Sequence, residues 1–226
     1  MRPLRIAIAG VLSAAAAACG ETLDSAVPGL PVTHERLVKS AQEPANWLMY
    51  SGQFNGQRFS ALDRINRANV HKLRLSWVYQ LGRAAVAETT PLVVNGVMYV
   101  TRPVGDVIAL DARTGREFWA YQYERPKKVT LCCGANVRGA AVLGDRVFVG
   151  TLDAKLIALD AHSGHVLWTA EVAKASEGYS ITGAPLAVKD RTIVGVGGGE
   201  LGIRGFVDAY DAATGRRLWR TYTIPG

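Results

Sequence analysis

Cysteine is scarce, with three in 226 residues at positions 19, 132 and 133. That leaves no disulfide framework to staple a small fold, and no Cys-x-x-Cys-His run occurs to carry a haem. Long hydrophobic runs are equally few: the extended apolar stretch Ile6–Ala18 is too short to span a bilayer. Charge does not cluster. The formal charge is +7, but Arg64, Arg67, Lys72 and Arg74 are scattered without interleaved aromatics, and Lys127–Lys128 is the tight pair of note. A nucleic-acid footprint would be concentrated, so no nucleic-acid partner is expected. The basic surface suits an acidic partner instead.

What is present starts with an address. Arg2 and Arg5 precede the apolar run, and small residues crowd Cys19, which is the pattern of a secretory signal over residues 1–19. Alternatively, Ala16–Cys19 serves as a lipoprotein box with Cys19 as the lipid-bearing N-terminus. A leucine is expected where Ala16 stands, and plain export to the periplasm is the expectation. Loss of Arg2 and Arg5 with the leader lowers the formal charge to +5. Residues 20–45 read as a polar linker, and 46–226 as the mature domain.

That domain repeats itself. Ala109-Leu-Asp-Ala-Arg-Thr-Gly-Arg-Glu-Phe-Trp119 returns as Ala158–Trp168 and as Ala209–Trp219, with the tryptophans 49 and 51 residues apart. Trp77 lies 42 residues before Trp119, after Leu73–Tyr79, which alternates like a strand. A period of 40–50 with several short strands per unit is that of a propeller blade. In each unit, Asp followed by Ala-x-Thr/Ser-Gly makes a tight turn whose glycine takes positive φ. Pro91–Thr101 reads as a hairpin about Asn95-Gly96, Val142–Val149 as one about Gly144-Asp145, and Leu186–Val194 as one about Lys189-Asp190. The fold class is therefore all-β: antiparallel four-stranded blades, roughly three to four of them, an incomplete ring whose units need neighbours to bury both faces.

Cys132 and Cys133 are adjacent. Consecutive Cα atoms lie about 3.8 Å apart, so a bridge between these two would close a strained ring of the kind that marks functional sites. In an oxidising compartment they either pair with each other or stay free as small buried thiols. Gly197-x-Gly199-x-x-Gly202 formally satisfies a dinucleotide fingerprint, but the following residues alternate as a strand where that motif requires a helix. His162 and His165 share a turn and read as solvated residues, not metal ligands.

The Trp-bearing repeats, the Cys-Cys pair, Glu88, Arg138 and the Gly-Gly-Gly-Glu run together resemble the N-terminal part of the quinoprotein alcohol dehydrogenases, over about residues 46–226. The resemblance implies an eight-bladed propeller holding pyrroloquinoline quinone (PQQ) and Ca²⁺, or a lanthanide. It further implies a Cys132–Cys133 disulfide flat against the quinone, and cofactor contacts from Glu88, Arg138 and Thr182. By the same likeness, Gly197, Gly198 and Gly199 let the backbone approach the ring, and Glu200 ligates the metal. The family usually places Asn directly before the arginine; here Val137 stands there and Asn136 one residue earlier. Taken alone, Glu88 would pass as a surface residue at a strand entrance and Thr182 as an ordinary strand threonine.

The implied chemistry is alcohol oxidation by hydride transfer to the quinone, with electrons passed to a cytochrome c or a quinone. The general-base aspartate belongs to a later blade, beyond these 226 residues. The chain is thus expected to be inactive alone, as a gene fragment or as one part of a split protein completed by a second chain. Peripheral association with the membrane fits the same picture. The alternative is a non-catalytic propeller of related repeats acting as an envelope scaffold.

Overall fold

In the computed structural model the described residues are 31–82, 87–124, 126, 129, 131 and 134–226. The expected leader and the Cys132–Cys133 pair lie outside them.

Three antiparallel meanders follow one another. The first sheet holds β1 (Leu92–Val94), β2 (Val97–Thr101), β3 (Val107–Asp111) and β4 (Glu117–Tyr121). The second holds β5 (Ala141–Leu143), β6 (Arg146–Gly150), β7 (Lys155–Asp160) and β8 (Val166–Glu171). The third holds β9 (Leu186–Val188), β10 (Arg191–Gly195), β11 (Phe206–Asp211) and β12 (Arg217–Tyr222). Each pairs its strands in chain order, with a register shift between the third and fourth at the same place in every sheet. All three expected hairpins form, and Asn95 and Gly96 both take positive φ, as the two-residue primed turn requires.

The repeated motif turns out to be a latch between sheets. Asp111 Oδ1 accepts from the backbone N–H groups of Arg113 and Thr114, and Asp160 and Asp211 do the same in their own turns. Gly115, Gly164 and Gly215 follow at φ 74, 73 and 71°. A Cβ at these glycines would lie 2.6, 2.5 and 2.6 Å from Cε3 of Trp77, Trp119 and Trp168, each from the preceding unit. The indole N–H groups of those tryptophans donate to the carbonyls of Ala112, Ala161 and Ala212 at 3.2, 3.0 and 3.2 Å. The glycine is thus needed twice, for the turn and for the ring that lies on it.

Trp219, the fourth in the series, remains 38% exposed. At the other end, Trp77 is docked on the first sheet, and Tyr79 and Leu81 pack with it against the cluster of Val100, Ile108 and Leu110. The strand expected at Leu73–Tyr79 makes no ladder among the described residues, and Leu75 and Val78 are exposed. The result is three complete blades and the docked edge of another.

The expected linker is not one over its described part. Residues 31–45 include α1 (His34–Val38), capped by Thr33 Oγ1, which accepts from the backbone N–H of Arg36 at 3.2 Å. Val32 exchanges two 2.8 Å backbone bonds with Gly144, and Val32 and Leu37 are fully buried. Isolated apolar residues in a polar stretch carried no period to reveal this packing. No helix among the described residues is long and apolar enough to cross a membrane.

Candidate functional site

In a four-stranded meander, the segment entering the first strand and the loop joining the second to the third lie at the same edge, opposite the hairpin and Asp-Gly turns. Those expected site residues that are described fall on that first edge. Glu88 precedes β1, Arg138 precedes β5, Thr182 precedes β9, and Gly197–Glu200 lie between β10 and β11. The structure brings most of them together. A cleft of about 190 Å³ is lined by Leu131, Gly134, Asn136, Arg138, Ser180, Thr182, Gly197, Gly198 and Glu200. Glu88 joins through Arg138, whose Nη2 lies 3.0 Å from Glu88 Oε2 with both side chains partly exposed.

Backbone bonds sew this edge together. Arg138 donates its N–H to Thr182 O at 3.0 Å, and its carbonyl accepts from Thr90 N at 2.9 Å. Val137 O accepts from Thr101 Oγ1 at 2.9 Å, and the Val137 side chain is buried in the core. Arg138 is thereby clamped between the entries to the first and third sheets. Gly139 completes the clamp at φ +153°, where a Cβ would meet Thr90 O at 3.3 Å.

Upstream, the loop is pinned by Tyr123, whose N–H donates to Asp106 at 2.8 Å and whose hydroxyl donates to Asp153 at 2.6 Å. Burial pushes the Asp153 carboxyl up. Hydrogen bonds from Thr151, Tyr123 and Lys155 more than reverse that, and its pKa ends below the usual carboxylate value.

Ser180 and Gly197 exchange backbone bonds of 3.0 and 2.8 Å, which closes the far wall. The glycines differ in what they require. Gly198 has φ +124°, and a Cβ there would sit 2.1 Å from Gly178 O; at Gly199 it would meet nothing within 4 Å. Gly198 is therefore a packing necessity that shapes the Glu200 turn. Replacing it by alanine is expected to displace the 178–180 backbone and to lower stability by at least about 2 kcal/mol, from the positive φ and the clash. Chemical denaturation measures it; a change below about 0.5 kcal/mol would show that the two backbones are not in contact.

No dinucleotide site forms: a single 3-10 turn, Gly199–Leu201, follows Gly198, and strand β11 follows that. His162 and His165 are exposed, and no cluster of three or more acidic, histidine or cysteine side chains that could hold a metal occurs among the described residues. The sequence reading did not assign Asn136 and Ser180 to the cleft; the displaced Asn before Arg138 was the one visible signal. Cys132 and Cys133, expected beside Arg138, lie outside the described residues.

One edge of consecutive propeller blades therefore presents a guanidinium, a carboxamide, hydroxyls and a carboxylate around one cleft. The chain belongs to the PQQ family described as glucose/ethanol/alcohol dehydrogenase, beta-propeller domain, which matches residues 47–226. It is similar to the quinohemoprotein alcohol dehydrogenase ADH IIB of Pseudomonas putida, 46% identical over 187 residues, covering 82% of this chain and 27% of that protein. The dehydrogenase subunit of the alcohol dehydrogenase (quinone) of Gluconacetobacter polyoxogenes is 40% identical over 230 positions, covering 98% of this chain and 31% of that one. Among solved structures, the quinohemoprotein alcohol dehydrogenase ADHIIG of Pseudomonas putida HK5 superposes with TM-score 0.82 at 42% identity, over 87% of this chain and 30% of that chain. A europium-containing methanol dehydrogenase gives TM-score 0.80 at 40% identity, over 84% and 34%. The chain spans about a third or less of the length of these relatives.

Proposed function

We propose that this chain forms the N-terminal blades of a periplasmic, PQQ-dependent alcohol dehydrogenase, and that the cleft at Arg138 is one wall of its cofactor site. The observation that carries this is the convergence on one cleft of Arg138, from the entry to the second blade, with Thr182, Gly197, Gly198 and Glu200, from the third. The residues fit the group. PQQ is a flat ortho-quinone with three carboxylates, and the cleft offers it a guanidinium, hydroxyls and a carboxamide whose buried oxygen has no partner.

When bound, the quinone supplies the electron-accepting carbon for hydride transfer from an alcohol. Arg138 holds a carboxylate or carbonyl of the ligand while Glu88 fixes the guanidinium's orientation. Thr182 adds a hydroxyl, Gly197 keeps the cleft wall free of a side chain, and Gly198 shapes the turn that carries Glu200. Glu200 offers the cleft's carboxylate to a metal. One carboxylate cannot supply the 6–8 oxygens that Ca²⁺ takes, so Glu200 would be one ligand among several. A lanthanide, harder still and with the same taste for oxygen, would suit the same carboxylate. Electrons would leave to a cytochrome c or to a quinone, as the relatives' names suggest.

Of the two carboxylates at the cleft among the described residues, Glu88 is paired with Arg138 and Glu200 is assigned to the metal, which leaves neither to act as the base. The full chain with PQQ and Ca²⁺ is therefore expected to bind the quinone weakly without dye-linked oxidation of ethanol. Ethanol turnover would overturn the assignment of the base to a later blade. In Glu200→Gln, binding should lose its dependence on Ca²⁺; an unaltered Ca²⁺ dependence would remove Glu200 from the metal site.

A further inference from the structure

Asn136 is 5% exposed, and its Oδ1 is buried without a hydrogen-bond partner. Five other buried side-chain atoms among the described residues share that condition, on His34, Ser40, Arg102, Arg146 and Thr192, but none of those residues lines the cleft. Burying an amide without a partner costs stability, and an apolar side chain at the same place would not.

The alternation of the segment is not free to relieve this. Val137 is held into the core by the Thr101–Val137 bond, and Arg138 is clamped to Thr90 and Thr182, so residues 136 and 138 share the cleft side. Relative to the usual family order of Asn directly before Arg, this chain puts the apolar residue on the core side and the amide on the cleft side.

We propose that Asn136 is a cofactor-contacting residue, its carboxamide hydrogen-bonding the polar edge of the carboxylated quinone beside Arg138. The proposal rests on the reading of the cleft as a PQQ site. A carboxamide carries both donors and an acceptor, and turning it about its last bond exchanges them. It therefore meets a carboxylate or carbonyl through its N–H groups, or a ring N–H through its oxygen. The residue is retained at a cost to the unliganded protein, which the ligand offsets on binding.

Two readouts on the full chain test this: urea unfolding without ligand, and PQQ uptake by equilibrium dialysis in Ca²⁺. In Asn136→Leu, the unliganded chain is expected to unfold at a urea concentration equal to or above that of the parent. The same variant is expected to bind PQQ about tenfold to a hundredfold more weakly, the loss of one hydrogen bond to a charged group. Asn136→Ala, too small to clash, decides the matter if the leucine variant does not fold, with the same two results expected. Parental PQQ affinity in these variants overturns the proposal and leaves the cleft reading intact. A fall in unliganded stability of the alanine variant also overturns it, since the carboxamide would then be structural. Absence of saturable uptake by the parent chain overturns the cleft reading and this proposal with it.

Discussion

Replacing Arg220 by methionine is expected to destabilise the chain by about 3–5 kcal/mol, the cost of leaving a buried charge uncompensated. Asp208 is fully buried on β11, and Arg220 on β12 grips it side-on, with Nε to Oδ1 and Nη2 to Oδ2 both at 2.7 Å. The guanidinium also donates to Val172 O at 2.8 Å and lies 3.5 Å from the Phe206 ring centroid, while the Tyr210 hydroxyl donates to Asp208 Oδ2 at 2.9 Å. This contact holds the Arg220 guanidinium protonated well above its ordinary range.

The chain contains its own control. At the matching cross-strand positions the first sheet pairs Ile108 with Ala120, and the second pairs Ile157 with Thr169. Copying the second sheet into the third, as Asp208→Ile, Tyr210→Leu and Arg220→Thr together, should recover part of the loss, because no buried charge is then left uncompensated, although threonine does not replace the arginine's packing on Phe206. Denaturant unfolding of the parent, the single and the triple variant measures both. A single variant within about 1 kcal/mol of the parent would mean that water reaches Asp208.

Gly164→Ala is the second large effect, with an expected loss of about 2–5 kcal/mol. About 1–2 kcal/mol comes from a Cβ in left-handed backbone, and about 1–3 kcal/mol from overpacking, since that atom would fall 2.5 Å from Trp119 Cε3. Trp119 is 8% exposed and carries the join between the first two sheets, so displacing it also loosens its 3.0 Å bond to Ala161 O. Gly96→Ala separates the two contributions. Gly96 also has positive φ, 87°, but a Cβ there meets nothing within 4 Å, so only the backbone cost applies. Equal losses in the two variants would show that the tryptophan is not latched on Gly164.

Much of this was readable from residues, and the reason is local chemistry. Asn95-Gly96 and the Asp-to-Gly turns announce their backbone angles, and Trp spacing gives the blade period. What the turns do not announce is a partner some 50 residues away. Gly164 is legible as a turn glycine, yet its contact with Trp119 depends on how two sheets stack. The Asp208–Arg220 pair sits in a third copy of a motif that is uncharged at these positions in the other two, and sequence similarity conceals the difference. Gly198 looks like space made for a ligand, whereas the nearest neighbour of its missing Cβ is Gly178 O. Asn136 is visible as a misplaced amide, but its side of the segment is set by bonds to Thr90, Thr101 and Thr182 from other blades. Residues 31–45 hide their packing because two buried side chains, Val32 and Leu37, make no period.

The central claim is that PQQ sits in the cleft at Arg138, and amide hydrogen exchange of the full chain with and without PQQ and Ca²⁺ tests it most directly. Slowed exchange is expected to be confined to residues 134–138, 180–182 and 197–200, and to be lost in Arg138→Ala. A similarly large, more apolar pocket, lined by Leu37, Phe54 and Leu186, lies elsewhere in the molecule. Protection there, or protection at the cleft that survives Arg138→Ala, would contradict the assignment.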